Sequence, residues 1–329
     1  MLVMPKEWKT GVFAGVISAF LLLLPTIGFP IAGLLSFFMP LPLFLAGLSA
    51  GTTVSAIGAL TTTLISTLVT DLSFGLTILG TVGIPVMVFT SRALLNRTVL
   101  IRGQQSVEWY PAGLMLVWLS GFAALILMVL TAIAYLGQGV SLSEWTRRVA
   151  IEAHGDPEQV AAFLSQFQPP ISLDQYINIL TRILPAFIAL NLAFMAAANA
   201  GLAQLILTRK NRAIRPSPSI KDLELPEGLA IALAGSIGLW LIPGELGIIG
   251  GSFAIILFIP YFLLGLAVVH AISTAWPGRT AFLALLYLTC VFFPGMTLLI
   301  ALLGIVEQRL HLRQRFGASA NSGKPPKGK

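Results

Sequence analysis

Nine apolar runs, at about 11–27, 31–49, 51–70, 74–91, 110–136, 177–207, 228–243, 246–271 and 280–304, divide the chain. Runs of about 20 apolar residues are what an α-helix needs to cross a hydrocarbon layer ~30 Å thick. In lipid each backbone amide and carbonyl must be paired within its own segment, and no run shows the period-two alternation of a membrane-barrel strand. The expected fold is therefore all-α, a polytopic transmembrane bundle of about eight to nine hydrophobic segments. Six of the runs lie within residues 1–210 and three more within 211–304, ahead of a basic tail over 305–329.

Composition removes the alternative of a large soluble core. Hydrophobic residues make up 56% of the chain and charged residues 10%, against about 25% charged in an ordinary soluble domain. The formal charge of +7 does not point to nucleic acid, because the 20 lysines and arginines fall in short segments between apolar runs. Lys6 and Lys9 precede the first run in the manner of a signal peptide, but no clear small-x-small cleavage site follows, which predicts an uncleaved first helix. Cys290, alone in "YLTCVFF", can form no intrachain disulfide and reads as a small buried hydrophobe.

Basic residues set the expected orientation. Lys6 and Lys9, then Arg92, Arg97 and Arg102, then Arg209, Lys210, Arg212, Arg215 and Lys221 all lie inside if the first helix runs outward and the runs alternate. The connection 137–176 then lies outside. Trp8, Trp109, Tyr110, Trp145 and Trp240 stand near run ends, as interfacial anchors do. Nine alternating crossings, however, would leave Arg309, Arg313, Arg315, Lys324, Lys327 and Lys329 outside. One run is therefore expected to be a half-crossing. The short 228–243 run and the 246–271 run, interrupted at Pro260, are the candidates, and both termini are expected in the cytosol.

The outer connection carries helix signals of its own. Asp156-Pro157-Glu158-Gln159 offers an N-cap, a first-turn proline and a glutamine, and Val160, Leu164 and Phe167 share one face of a short amphipathic helix. Ser172-Leu173-Asp174-Gln175 is a capping box opening a helix that continues to Leu207, longer than a bilayer requires. The connection reads equally as a lid over an outward cavity or as an interfacial cover. The tail beyond about residue 316, "GASANSGKPPKGK", has the composition of a disordered segment.

Small residues recur at four-residue spacing at Gly11, Gly15 and Ala19, and again at Gly51, Ser55, Gly58 and Thr62. Such stripes let helices approach closely, either inside the bundle or against a separate membrane partner. Gly28-Phe29-Pro30 and Pro40-Leu41-Pro42 predict a kinked or discontinuous second helix, whose break either exposes backbone to a solute or is a plain kink. Among ionisable and amide groups near the membrane, Asp71, Arg182 and Asn191 are the candidate ligand-binding residues. Asp71 and Arg182 read alternatively as interfacial side chains, and Asn191, Asn199 and Gln204 as interhelical hydrogen-bonding groups. Glu245 reads as a solvated turn acid, and His270 as a group near a helix C-terminus.

The chain contains no HExxH, P-loop or GxSxG motif and no Cys/His cluster at metal-ligand spacing. No catalytic residue, metal site or cofactor is expected, and the chain is not expected to be an enzyme. "GIIGGSF" at 247–253 lies inside an apolar run with no preceding strand, which argues against dinucleotide binding.

"FFMPLPLFLAGLSAG" (37–51), "LPEGLAIAL" (225–233), "PYFLLGLAVVHAIS" (260–273) and "LLGIVEQRLHLRQRF" (302–316) resemble the bacterial multi-pass membrane family of unknown function typified by YybS. The likeness covers nearly the whole chain, and its C-terminal motif is the most distinctive part. Glu307 holds the motif's acid, whereas His311 stands where an aspartate is expected. The resemblance extends distantly to the substrate-binding components of energy-coupling-factor vitamin transporters. It implies that the first six helices follow that arrangement, that Gly11, Gly15 and Ala19 dock a membrane partner, and that the 137–176 loop covers a small-molecule solute. The expected function is a solute-binding or transport component of the bacterial inner membrane, dependent on a partner for energy. The alternative is a non-transporting scaffold or assembly factor.

Overall fold

The apolar runs fold as helices in the computed structural model, which describes residues 7–28, 31–101, 104–154, 157–218, 223–293 and 295–317. Of the residues singled out above, Lys6, Phe29, Pro30, Arg102, Asp156, Lys221 and the tail from residue 318 lie outside the described residues. Seven described helices are long and apolar enough to cross a membrane, and a bent pair, Arg279–Phe292 with Gly295–Leu310, makes an eighth if it counts as one span. The chain is an all-α polytopic membrane protein. It divides into two compact units, residues 1–111 with 190–218 and residues 112–189 with 219–329, and the second boundary falls inside a long helix.

The first unit opens with α1 (Trp8–Leu23), a short 3-10 turn, α2 (Ala32–Ser36) and α3 (Leu41–Ala50). The proline-rich second run is discontinuous, as expected. The break lies at residues 37–40, ahead of Pro42 in the first turn of α3. Gly51, at φ 103°, lets the chain turn directly into α4 (Thr52–Val69). α5 (Leu72–Ile78) and α6 (Ile84–Leu94) follow as one span joined through a π-turn.

α1 and α4 meet at backbone contact. A Cβ on Gly11 would lie 2.6 Å from the Val54 carbonyl oxygen, and Gly15 faces the Gly58 carbonyl and Thr61. The Thr62 hydroxyl reaches the Gly15 carbonyl at 3.1 Å. The two small-residue stripes thus pack on each other, which is how helices associate where burial of apolar surface offers no drive.

A feature absent from the helical expectation is an antiparallel hairpin of β1 (Asn96–Ile101) and β2 (Gln104–Trp109), paired from Asn96↔Trp109 to Ile101↔Gln104. Arg97 and Glu108 face each other across it, 2.7 Å apart, and their hydrogen bond, with their opposite charges, raises the arginine's pKa and lowers the glutamate's. Both side chains are well exposed, so the pair contributes little stability. Arg215, 7% exposed, has a structural task besides its charge. Its guanidinium donates to the carbonyls of Ala93 at 3.1 Å and Tyr110 at 2.8 Å, tying the two ends of the hairpin, and burial lowers its pKa.

The second unit holds α7 (Ala112–Ala132), α8 (Leu142–His154), α9 (Pro157–Leu164), α11 (Gly228–Trp240), α12 (Glu245–Ile272), α13 (Arg279–Phe292), α14 (Gly295–Leu310) and α15 (Leu312–Gly317). α10 (Leu173–Arg209) belongs to this unit up to Ala189 and to the first unit from Leu190. The capping box that opens α10 is formed in both directions. Ser172 N–H donates to the Gln175 side chain at 3.0 Å, and Gln175 N–H donates to the Ser172 hydroxyl at 3.2 Å.

Of the two candidate half-crossings, the 228–243 run forms only the 13-residue helix Gly228–Trp240, below the length of a span. α12 continues unbroken through Pro260, whereas the last apolar run splits after Phe292 into α13 and α14, bent by 118°. α12 and α14 pack through Gly265 and Gly304, each against the other helix's backbone. Gln308, Arg309 and Arg313, at the end of α14 and beyond, reach Leu225, Glu227 and Leu223, just before α11. Gly113, in the first turn of α7, packs on the Glu224 carbonyl. The start of α7, the approach to α11 and the end of α14 therefore share one end of this unit.

Candidate functional site

The approach to the site begins with α8. Ser141 caps it by accepting the Glu144 N–H at 3.2 Å, and the helix presents Ser143 and Thr146 to two neighbours. Ser143 donates its N–H and its hydroxyl to the Glu245 carboxylate at the start of α12. Thr146 reaches the Thr181 carbonyl of α10. Glu245 is thus a tie between helices rather than a solvated turn acid. These contacts hold the first turn of α12 and the Thr181-Arg182 turn of α10 against the same end of α8.

Below that junction α10, α11, α12 and α14 enclose a cavity of about 1140 Å³. Its walls are apolar, with Ile179 and Ile183 from α10, Ile237 from α11, and Ile255, Phe258 and Phe262 from α12 among them. The sequence explains why the space stays open at its end. Gly244, at φ 81°, turns the chain from α11 to α12, and Gly247, Gly250 and Gly251 let α12 press on residues 239–242, leaving Trp240 and Leu241 at the rim. The glycine-rich segment 247–253 is a helix-packing surface. Arg182 is the sole cation in the lining, and among the described residues it makes no ion pair or side-chain hydrogen bond. Ligand pockets with apolar walls and a few placed polar groups have this character.

The other candidates lie elsewhere. Asp71 belongs to the first unit, where its carboxylate caps α5 by accepting the Phe74 N–H at 2.9 Å and the Ser73 hydroxyl. Those bonds favour the ionised form and lower its pKa, the Ser73 bond most. Asn191 is exposed on α10 in the same unit. Arg182 is in the second unit, whereas Asp71 and Asn191 both belong to the first. Gly11, Gly15 and Ala19 are buried, and both glycines face α4 within the chain, while Phe13 and Phe20 are exposed on the rest of α1. The break between α2 and α3 is closed by Asn199, 1% exposed, whose side-chain amide donates to the Phe37 carbonyl at 2.9 Å.

The C-terminal motif builds a second polar cluster. Glu307, with its side chain 3% exposed, accepts the Arg313 Nε at 2.6 Å and the Arg313 backbone N–H at 3.2 Å. Arg313 also donates to the Leu223 carbonyl at 2.7 Å. Gln308 accepts from Tyr261 and donates to Leu225. His311 adopts φ 49° and closes α14 by donating its N–H to the Glu307 carbonyl at 2.9 Å. That left-handed position is one that aspartate, asparagine and histidine enter more readily than most residues, so position 311 has a backbone task that either histidine or aspartate can meet.

A family model described as a predicted membrane protein (DUF2232) matches residues 16–307. The chain belongs to that family. The match takes in all or part of every membrane-spanning candidate and ends on Glu307. No curated protein and no solved structure matches the chain.

Proposed function

We propose that this DUF2232 member is a non-enzymatic solute-binding component of a bacterial inner membrane, taking an anionic ligand at Arg182 and relying on a separate protein for any energy input. The observation that carries the reading is an arginine with no counter-ion among the described residues, on the wall of a large apolar cavity. Arg182 is exposed at its place on the cavity wall, and an anion there makes the charged hydrogen bond that the described residues do not supply. The resemblance to transporter substrate-binding components favours the same reading. A scaffold role has its own support in the hairpin, where Leu100 is 75% and Val107 52% exposed.

The test is thermal unfolding of the purified full chain against a panel of anionic metabolites and lipids. An authentic ligand at 100 times its Kd raises stability by about 2.7 kcal/mol. Arg182→Gln is expected to abolish the shift. A panel in which no anion stabilises the protein overturns the reading.

Both termini are proposed to be cytosolic. Residues 307–313 bond to residues 223–227, so the basic end lies against the close of the basic 208–227 connection, and seven candidate spans with the bent α13–α14 pair as an eighth make the even number of crossings that charge parity requires. In a Cys290→Ser background, a cysteine placed by Ala320→Cys is expected to resist an impermeant thiol reagent in intact cells, while Val160→Cys reacts. Labelling at 320 reverses the orientation.

A further inference from the structure

We infer that the ligand at Arg182 is a membrane-resident amphiphile, with one anionic headgroup at the arginine and a hydrocarbon chain lying along α12. The inference rests on the anion-binding reading above and adds the chemical class. It begins from the shape of the space. Lining residues run along α12 from Gly247 to Phe262, which at 1.5 Å per residue is about 22 Å, most of the thickness of a hydrocarbon layer. The volume of about 1140 Å³ exceeds the ~300–1,000 Å³ usual for small-molecule sites.

The one charged side chain of the lining stands at one end. Thr181, beside Arg182, and Glu245, beside Gly244, are both bonded to the first turns of α8, so Arg182 stands at the α11–α12 turn. Glu245 is tied to Ser143 there. Toward Phe262 the walls are apolar side chains of α11, α12 and α14, with Thr297 the one hydroxyl. A water-soluble polar solute would lose hydration along that length with little to replace it, whereas an alkyl chain gains from burial.

The way in is apolar too. Ile237, Ile255, Leu298 and Leu302 line the cavity and are also 38% to 55% exposed, so its side opens between hydrocarbon groups. Such an opening in a membrane helix bundle faces acyl chains and suits lateral entry. The single cation then selects for charge. A carboxylate or phosphate monoester meets Arg182, and a neutral lipid leaves it unpaired.

The experiment uses the full chain in phosphatidylcholine nanodiscs and follows thermal unfolding with three probes, hexadecyl phosphate, ethyl phosphate and hexadecanol. Saturable stabilisation by hexadecyl phosphate alone is expected. Arg182→Gln should weaken its apparent affinity at least about tenfold, the cost of a lost charged hydrogen bond. Arg182→Lys should recover part of it, and Ile255→Trp, filling the cavity, should abolish it. Equal stabilisation by ethyl phosphate overturns the amphiphile while leaving an anion site at Arg182. Equal stabilisation by hexadecanol, unaffected by Arg182→Gln, overturns the anionic headgroup and the reading beneath it. Failure of all three probes likewise overturns both.

Discussion

Replacing Glu307 by alanine is expected to destabilise the protein by about 3–5 kcal/mol, because it breaks a close, enclosed ion pair. The pair is well enclosed, with side-chain exposures of 3% for Glu307 and 12% for Arg313, and its geometry is close, at 2.6 Å. Spread over a chain of this size, a loss of that order lowers the unfolding midpoint by roughly 4–7 °C in detergent or nanodiscs. Arg309→Ala is the contrast. Its partner Glu227 lies 3.7 Å away, and both side chains are more than two-thirds exposed, so the change is expected within about 1 kcal/mol. The combination Glu307→Leu with Arg313→Leu should be milder than Glu307→Ala alone, since it removes both members of the pair together. It still strips the Leu223 carbonyl of its donor, at about 1–3 kcal/mol. A double variant as unstable as the sum of its parts would show that the two side chains act independently. The acid and the arginine of the C-terminal motif would then owe their pairing to something other than mutual charge neutralisation.

What is legible in the sequence follows from the range over which each signal acts. Apolar run length is local and decisive in lipid, so the helical architecture can be read directly, and so can the discontinuity before Pro42 and the Ser172–Gln175 capping box. Other local signals are present but masked by stronger context. Ser141 and Glu144 stand at capping-box spacing, and they open a helix inside what reads as a lid or cover. "NRTVLI" and "QQSVEW" flank Arg102-Gly103 as a short hairpin would, yet in a basic loop between membrane helices the charges dominate the pattern. Phe293-Pro294-Gly295 is a strong breaker inside a run long enough to pass for one helix. Pro260 carries a similar signal and breaks nothing, because it is accommodated inside a continuous, well-packed α12. The cavity is out of reach for a different reason. Its walls come from residues as far apart as Ile179 and Ile305, and the setting of Arg182 depends on α8 tying Thr181 and Glu245 together. No periodicity encodes such a junction. Arg182 is legible as an unusual charge; what surrounds it is not.

Substituting Gly15 by valine is expected to cost about 3 kcal/mol or more in the isolated chain, because α1 rests on the backbone of α4 at that point. Any Cβ at residue 15 meets the Gly58 carbonyl and Thr61, and backbone cannot rotate aside as a flexible side chain can. Overpacking in a tight core usually costs about 1–3 kcal/mol, and a clash with backbone belongs at the upper end or above. Separation of the helices would also break the Thr62 hydrogen bond to the Gly15 carbonyl, worth about 0.6 kcal/mol on average between membrane helices. The measurement separates two uses of the same small-residue stripe. If Gly11, Gly15 and Ala19 serve internal packing, Gly15→Val lowers the stability of the purified chain with no other protein present, and Phe13→Ala or Phe20→Ala, on the exposed part of α1, changes it little. If the stripe instead docks a separate membrane protein, Gly15→Val leaves the unfolding midpoint of the isolated chain unchanged and abolishes only co-purification. Full thermal stability in the valine variant would require α1 and α4 to part without penalty, which their backbone contact does not allow. A partner that still needs α1 would then have to use the Phe13 and Phe20 face, which the packing leaves uncovered.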